Sequence, residues 1–224
     1  MSDKQTSDQI YCPKNKVGVI SLRPNPKNNN IRNNDMREIE ILVELHSSVN
    51  QAQSALKNFT FKGSKKTTDI YYFDPLRKNL QPNLEHKLGE CCRLRQKGDK
   101  AYVTYKTDHY DNGIWIFSDE YETEVSDLKV MEKIFTCLGL KKLVVIDNIK
   151  YLYENENYEI ALEEVADLGC FLEVEALHDD NQTDVDKIKS QIHDFIKQLG
   201  LSVGPELNAG KPELMLKKLQ ASKS

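Results

Sequence analysis

Four short stretches of this chain alternate between a charged residue and an apolar or small one, and each carries charges of a single sign. Glu38-Ile39-Glu40, Glu122-Thr123-Glu124 and Glu173-Val174-Glu175 present only carboxylates, and Arg93-Leu94-Arg95 presents only guanidinium groups. A period of two is the mark of a β-strand, because successive side chains point to opposite faces. Two architectures accommodate such strands. In an open sheet one face covers the core and the charged face is simply solvated, which is the ordinary fate of charge. In a closed antiparallel barrel, one face of every strand turns into a shared interior and the apolar faces lie outward beneath helices. The solvated face is the reading the residues favour by themselves, but sorting by sign resists it, since solvated surfaces mix signs between neighbours, and keeps the interior open. Carboxylates clustered there would repel one another unless a divalent cation lay between them. Arginines there would call for an anion of comparable charge, and polyphosphate is the natural one.

The rest of the pattern describes an α+β chain of about eight antiparallel strands and three helices between residues 37 and 200. Residues 1–36, with Asn28, Asn29, Asn30, Asn33 and Asn34 beside Pro24 and Pro26, read as a largely flexible tail that buries too little apolar surface to order itself. Strands are expected at Glu38–Ile41, Thr67–Phe73, Cys91–Gln96, Ala101–Lys106, Glu120–Val125, Lys142–Asp147, Tyr151–Glu154, Tyr158–Val165 and Phe171–Ala176. Ser48 caps a short helix, and Asp127 caps another whose core face is Leu128, Met131, Ile134 and Phe135. Val185–Leu199 carries a third apolar stripe. Residues 201–224 form a C-terminal extension, with Pro212–Leu219 as a short closing helix. Lys62, Lys65 and Lys66 read as a solvated loop or a lid.

Composition removes several classes of function. The longest apolar runs, Val17–Ile20 and Leu143–Ile146, fall far short of the roughly 20 residues of a membrane span. No apolar stretch near the N-terminus suits a signal peptide, so a cytoplasmic protein without membrane contact is expected. The net charge of −4 argues against a nucleic-acid partner. The five cysteines have no metal or disulfide spacing, which fits reduced thiols, and Cys91-Cys92 reads as structural. The five histidines are scattered, with no pair at ligand spacing.

Five blocks, taken in order, resemble the CYTH superfamily, the triphosphate tunnel metalloenzymes. They are Glu38-Ile39-Glu40, Cys92-Arg93-Leu94-Arg95-Gln96, Ala101-Tyr102-Val103-Thr104-Tyr105-Lys106, Glu120-Tyr121-Glu122-Thr123-Glu124-Val125, and Leu162-Glu163-Glu164-Val165 followed by Glu173-Val174-Glu175. The resemblance spans roughly residues 37–200 and is greatest to the branch of class IV adenylyl cyclases; thiamine triphosphatases and inorganic tripolyphosphatases belong to the same superfamily. It implies a closed eight-stranded antiparallel tunnel with helices packed outside, a Mg²⁺ or Mn²⁺ cofactor and a small-molecule triphosphate substrate (ATP, thiamine triphosphate or tripolyphosphate), with a homodimer left open. It places Glu38, Glu40, Glu122, Glu124, Glu163, Glu173 and Glu175 on the metal side. Arg93, Arg95, Lys106 and Lys150 would hold phosphate oxygens, with Glu38, Glu40, Lys106 and Lys150 in catalytic positions.

The departures are as informative. The lysine of the family's E-x-E-x-K motif is Leu42 here, Phe117-Ser118-Asp119 lacks a basic residue ahead of Glu120, and Asn148 replaces another. Each charge-assisted contact is worth about 1.5–3 kcal/mol, so these losses would weaken triphosphate binding by orders of magnitude unless Lys65, Lys66 or Lys211 substitutes. Two functions therefore stay open: a cyclase or hydrolase, and a non-catalytic nucleotide- or polyphosphate-binding module with a reduced basic clamp.

Overall fold

The computed structural model describes residues 37–177 and 184–222, so the tail expected over residues 1–36 lies outside the described residues. The strand segments are β1 (Arg37–Glu38), β2 (Glu40–Leu45), β3 (Thr60–Phe73), β4 (Glu90–Lys97), β5 (Lys100–Asp111), β6 (Ile114–Val125), β7 (Lys141–Glu154), β8 (Tyr158–Val165), β9 (Gly169–Ala176) and β10 (Val203–Glu206). The helices are α1 (Val49–Ala55), α2 (Leu128–Cys137), α3 (Val185–Gln198) and α4 (Lys211–Ala221). All ten segments join one antiparallel sheet in the order β1-β6-β5-β4-β3-β7-β8-β9-β2-β10. The sheet is curled as a half-barrel, and no helix among the described residues is long and apolar enough to cross a membrane.

β1 and β2 belong to one run interrupted at Ile39. β1 pairs with β6 (Glu38 opposite Ser118), and β2 pairs with β9 (Glu40 opposite Glu175). The Ala176 N–H donates to the Ile39 carbonyl at 3.0 Å, so the run stays in hydrogen-bonded register across its break.

Alternation places two of the three apolar clusters on the outer face, where helices cover them. Ile39, Ile41, Leu162, Leu172 and Val174 pack beneath α1 and α3 against Leu56, Ile188, Ile192 and Ile196. Ile70, Tyr72, Cys92 and Leu94 pack against Phe135 of α2, which leaves Ile134 exposed and corrects its expected place on the core face. A third cluster lies on the inner face, in line with the charged residues two positions along the same strands: Leu42, Tyr71, Cys91, Ile146, Val165 and Phe171 pack there with Met215 of α4. Ser48 caps α1 with a reciprocal Gln51 contact, and Asp127 and Asp184 cap α2 and α3.

Three expectations change. Lys142–Asp147 and Tyr151–Glu154 are one strand, β7, because Asn148, Ile149 and Lys150 pair with β3 on one side and β8 on the other. Ladder hydrogen bonds on both edges override the weak strand preference of asparagine. Lys62, Lys65 and Lys66 lie within β3 rather than in a loop, past a register shift at Gly63, whose φ of +114° suits glycine. β10, unforeseen, adds a short edge to β2, and its Pro205 is tolerated at an edge.

Candidate functional site

The charged doublets converge on the inner face of the curled sheet. Lys106 on β5 reaches three carboxylates: Glu120 Oε1 at 3.3 Å, Glu40 Oε1 at 3.5 Å and Glu38 Oε2 at 3.7 Å. These come from β6, β2 and β1, so one ammonium joins elements from opposite ends of the strand order. Burial pushes Glu38 up to about 8, aided by repulsion from Glu120 and Glu40 and only partly offset by Lys106. Burial also raises Glu40, whereas the guanidinium of Arg93 and the ammonium of Lys106 outweigh burial at Glu120 and hold it at about 2. The indole of Trp115, the sole tryptophan, lies 5.7 Å from Lys106 Nζ.

Arg93 and Arg95 sit side by side on β4 but are held differently. Arg93 Nη2 donates to Thr104 Oγ1 and Glu122 Oε2, each at 3.1 Å, and lies 3.5 Å from Glu120 Oε2; its Nε is buried without a partner. Arg95 makes a two-pronged contact, Nε to Asp69 Oδ1 and Nη2 to Asp69 Oδ2, both at 2.7 Å. Asp69, directly opposite Arg95 in the β3–β4 register, is a site residue that no reading of the doublets named. Its signal was present: Thr67–Phe73 is a stretch of β-branched and aromatic residues, and Asp69 is its one charge.

Burial works against the Asp69 carboxylate, yet Arg95, with help from Arg93 and Lys150, holds it at about 2. An unfolded aspartate titrates near ~3.9. The pair's contribution is therefore fully present above that value and is lost as pH falls through about 2. The difference in melting temperature between the parent and Asp69→Asn is expected to be large at neutral pH and to shrink steadily as the solution is acidified from about pH 4 to pH 2. A difference independent of pH would mean that the ion pair does not set it.

At the α4 end, Lys150 Nζ lies 2.9 Å from Glu163 Oε1 and 3.3 Å from Glu173 Oε1. Lys211, in the first turn of α4, contacts the same two carboxylates, Glu163 Oε1 at 2.7 Å and Glu173 Oε2 at short range. Lys150 and Lys211 outweigh burial at Glu173 and hold it well below the usual carboxylate range. Asn148 Nδ2 also donates to Glu163, while its Oδ1 and the hydroxyl of Thr67 opposite it are buried without partners. Leu42, opposite Glu173, is 5% exposed and packs in the apolar cluster with Phe171 and Met215. The cation missing at Leu42 is thus supplied from the helix: of Lys65, Lys66 and Lys211, only Lys211 forms an ion pair with these carboxylates among the described residues.

Not every candidate joins. Glu122 is bound to Arg93 at the edge of the cluster, and Glu124 pairs with Lys100 at 2.8 Å in solvent, away from the others. Glu175 has no cation in ion-pair contact among the described residues; burial and the neighbouring Glu38, Glu40, Glu159 and Glu173 push it well above its ordinary value. Among the described residues no three acidic, histidine or cysteine side chains are already gathered as a metal cage. Lysines lie between the carboxylates instead. The donor set still suits a hard divalent ion, for it offers carboxylate oxygens, the unpaired Glu175, and the orphaned Asn148 Oδ1 beside Glu163.

A curled antiparallel sheet that carries helices on its outer face and ionic groups of both signs on its inner face defines the class of fold to which this chain belongs. The chain belongs to the CYTH domain family, whose profile matches residues 36–206. A protein of Methanocaldococcus jannaschii named as a putative adenylate cyclase is 30% identical over 169 residues, covering 75% of this chain and 91% of that protein. A Pyrococcus horikoshii protein shares the fold with a TM-score of 0.67 at 22% identity, covering 81% of this chain and 99% of its own. A putative adenylyl cyclase of Hippeastrum, described as having a dominant triphosphatase activity, aligns with a TM-score of 0.56 at 18% identity over 78% of this chain and 92% of its own.

Proposed function

We propose that this chain is a divalent-metal-dependent enzyme acting on a triphosphate compound, with residues 37–200 as a closed tunnel and residues 201–224 supplying Lys211. The observation that carries the reading is the convergence of Arg93, Arg95, Lys106, Lys150 and Lys211 with Glu38, Glu40, Glu120, Glu163 and Glu173 on one inner face. Support for closure comes from the run of β1 and β2, which pairs with β6 and with β9.

Glu38, Glu40, Glu163, Glu173 and Glu175 would hold Mg²⁺ or Mn²⁺, with Glu120 beside them. The ion would supply charge neutralisation of phosphate oxygens. Arg93 and Arg95 would grip phosphate by paired N–H groups, and Lys106, Lys150 and Lys211 as point charges. Fixed cations aimed at the reacting phosphate stabilise charge as it develops. If the ribose 3′-hydroxyl attacks the α-phosphate, the enzyme is a cyclase that releases pyrophosphate. If water attacks the terminal phosphate, it is a triphosphatase.

A second reading, a non-catalytic binding module, is favoured by one observation: every basic residue of the clamp already pairs with a carboxylate, and Asp69 engages Arg95 with both oxygens. Purified protein incubated with ATP, thiamine triphosphate or tripolyphosphate and Mg²⁺ or Mn²⁺ decides between them. Turnover of one substrate is expected. Binding without product, followed by the fluorescence of Trp115 beside Lys106, would establish the module; neither turnover nor binding would reject both readings.

A further inference from the structure

We infer that Lys211 is a resident stand-in for the divalent cation at the Glu163–Glu173 pair, so that this end of the interior takes up metal readily only when an anion arrives to receive the displaced ammonium. The inference rests on the metal reading given under Proposed function and specifies how that site is controlled.

Charge balance is its basis. Glu163 and Glu173 face Lys150 and Lys211, and each lysine contacts both carboxylates. Two negative and two positive charges cancel locally. A divalent ion added to that group leaves an excess of two positive charges in a buried setting, where uncompensated charge is costly. Glu163 is 0% exposed, so an ion can reach its oxygens only by replacing a group that already touches them.

The two lysines differ in freedom to leave. Lys150 lies on β7, which is paired on both edges by β3 and β8. Lys211 stands at the start of α4, after the β10 edge strand and the short segment 207–210, with no strand ladder of its own. The rest of α4 is anchored elsewhere. Glu213 accepts from the Leu88 and Gly210 N–H groups at 2.7 and 2.6 Å, Met215 packs in the apolar cluster, and Lys218 donates to the Asp167 carbonyl. The Lys211 side chain can therefore withdraw from the carboxylates without the helix leaving its seat. The natural acceptor for it is the phosphate chain that brings the metal in.

The test compares the full chain with Lys211→Met, both stripped with EDTA, by calorimetric titration with Mn²⁺ alone and with tripolyphosphate present, alongside melting curves. Lys211→Met is expected to melt lower without metal, to bind Mn²⁺ alone about tenfold more tightly than the parent, and to show a larger rise in melting temperature on Mn²⁺ addition. Tripolyphosphate is expected to tighten Mn²⁺ binding more in the parent than in the variant; association of Mn²⁺ with tripolyphosphate in solution affects both proteins equally. Equal Mn²⁺ affinity in parent and variant overturns the stand-in role while leaving the metal site intact. Absence of Mn²⁺ binding by both, with or without tripolyphosphate, overturns the metal reading and this inference with it. If Lys211→Met does not fold, Lys211→Gln, which keeps a polar group at the position, goes through the same comparison.

Discussion

Lys106→Met is expected to cost about 3–5 kcal/mol of folding stability at neutral pH, the range found when one partner of a buried ion cluster is removed. Its ammonium lies within 3.7 Å of Glu38, Glu40 and Glu120, and among the described residues these three share no other cation in ion-pair contact. Methionine preserves the length of the side chain, so the loss comes from charge and not from a cavity. Burial already raises Glu38 to about 8 with the lysine present, so in the variant the carboxyls would take up protons more readily still. The share of the deficit due to Glu38 should accordingly be largest above about pH 8 and narrow as pH falls through that value, whereas the share due to Glu120, held at about 2, persists until pH falls below the ordinary glutamate range near ~4.3. Urea unfolding of both proteins from mildly alkaline to acid pH measures this. A difference below about 0.5 kcal/mol, the scale of an ordinary surface substitution, would show that the cluster is solvated.

The second large effect concerns Glu173 and Glu175. The double variant Glu173→Gln plus Glu175→Gln is expected to lose its response to Mg²⁺ or Mn²⁺, in ligand binding and in melting temperature, while remaining folded. Opposing changes keep the fold: Glu173 gives up its contacts with Lys150 and Lys211, but both lysines retain Glu163, and removing the charge of Glu175 relieves repulsion from Glu38, Glu40 and Glu159. Arg93→Ala plus Arg95→Ala is the contrasting case. It leaves the buried Asp69 carboxylate without its two-pronged partner, so loss of ligand binding should come with a marked fall in stability. Melting curves of the three proteins with and without Mg²⁺ separate these outcomes. An undiminished Mg²⁺ response in the double glutamine variant would remove Glu173 and Glu175 from the metal side.

Much of this was legible in the residues themselves. Period-two alternation placed Glu38, Glu40, Arg93, Arg95, Glu173 and Glu175 on strand faces, and each lies in a strand or strand segment. Capping chemistry located α1 and α2, because Ser48 and Asp127 satisfy local N–H groups whatever the rest of the chain does, and an apolar stripe located α3, whose cap Asp184 the structure adds. Tyr158–Val165 matches β8 from end to end. Signals of this kind act over a few residues, so the sequence contains them in full.

What the tertiary structure decided is which charge answers which. Lys106 meets Glu38 and Glu40 from segments some 65 residues away in the chain, and Asp69 meets Arg95 across a ladder whose register is set by the whole sheet. Lys211 lies beyond every strand of the motif, yet its ammonium takes the charge that Leu42 does not provide. Asn148, a weak strand former, is strand because partners on both edges use its backbone. Sequence alone determined the faces, the caps and the sign of each doublet, because those follow from neighbours along the chain. Folding alone determined the pairing of lysines with carboxylates, because the energy of a buried charge depends on what the fold brings within a few ångströms of it.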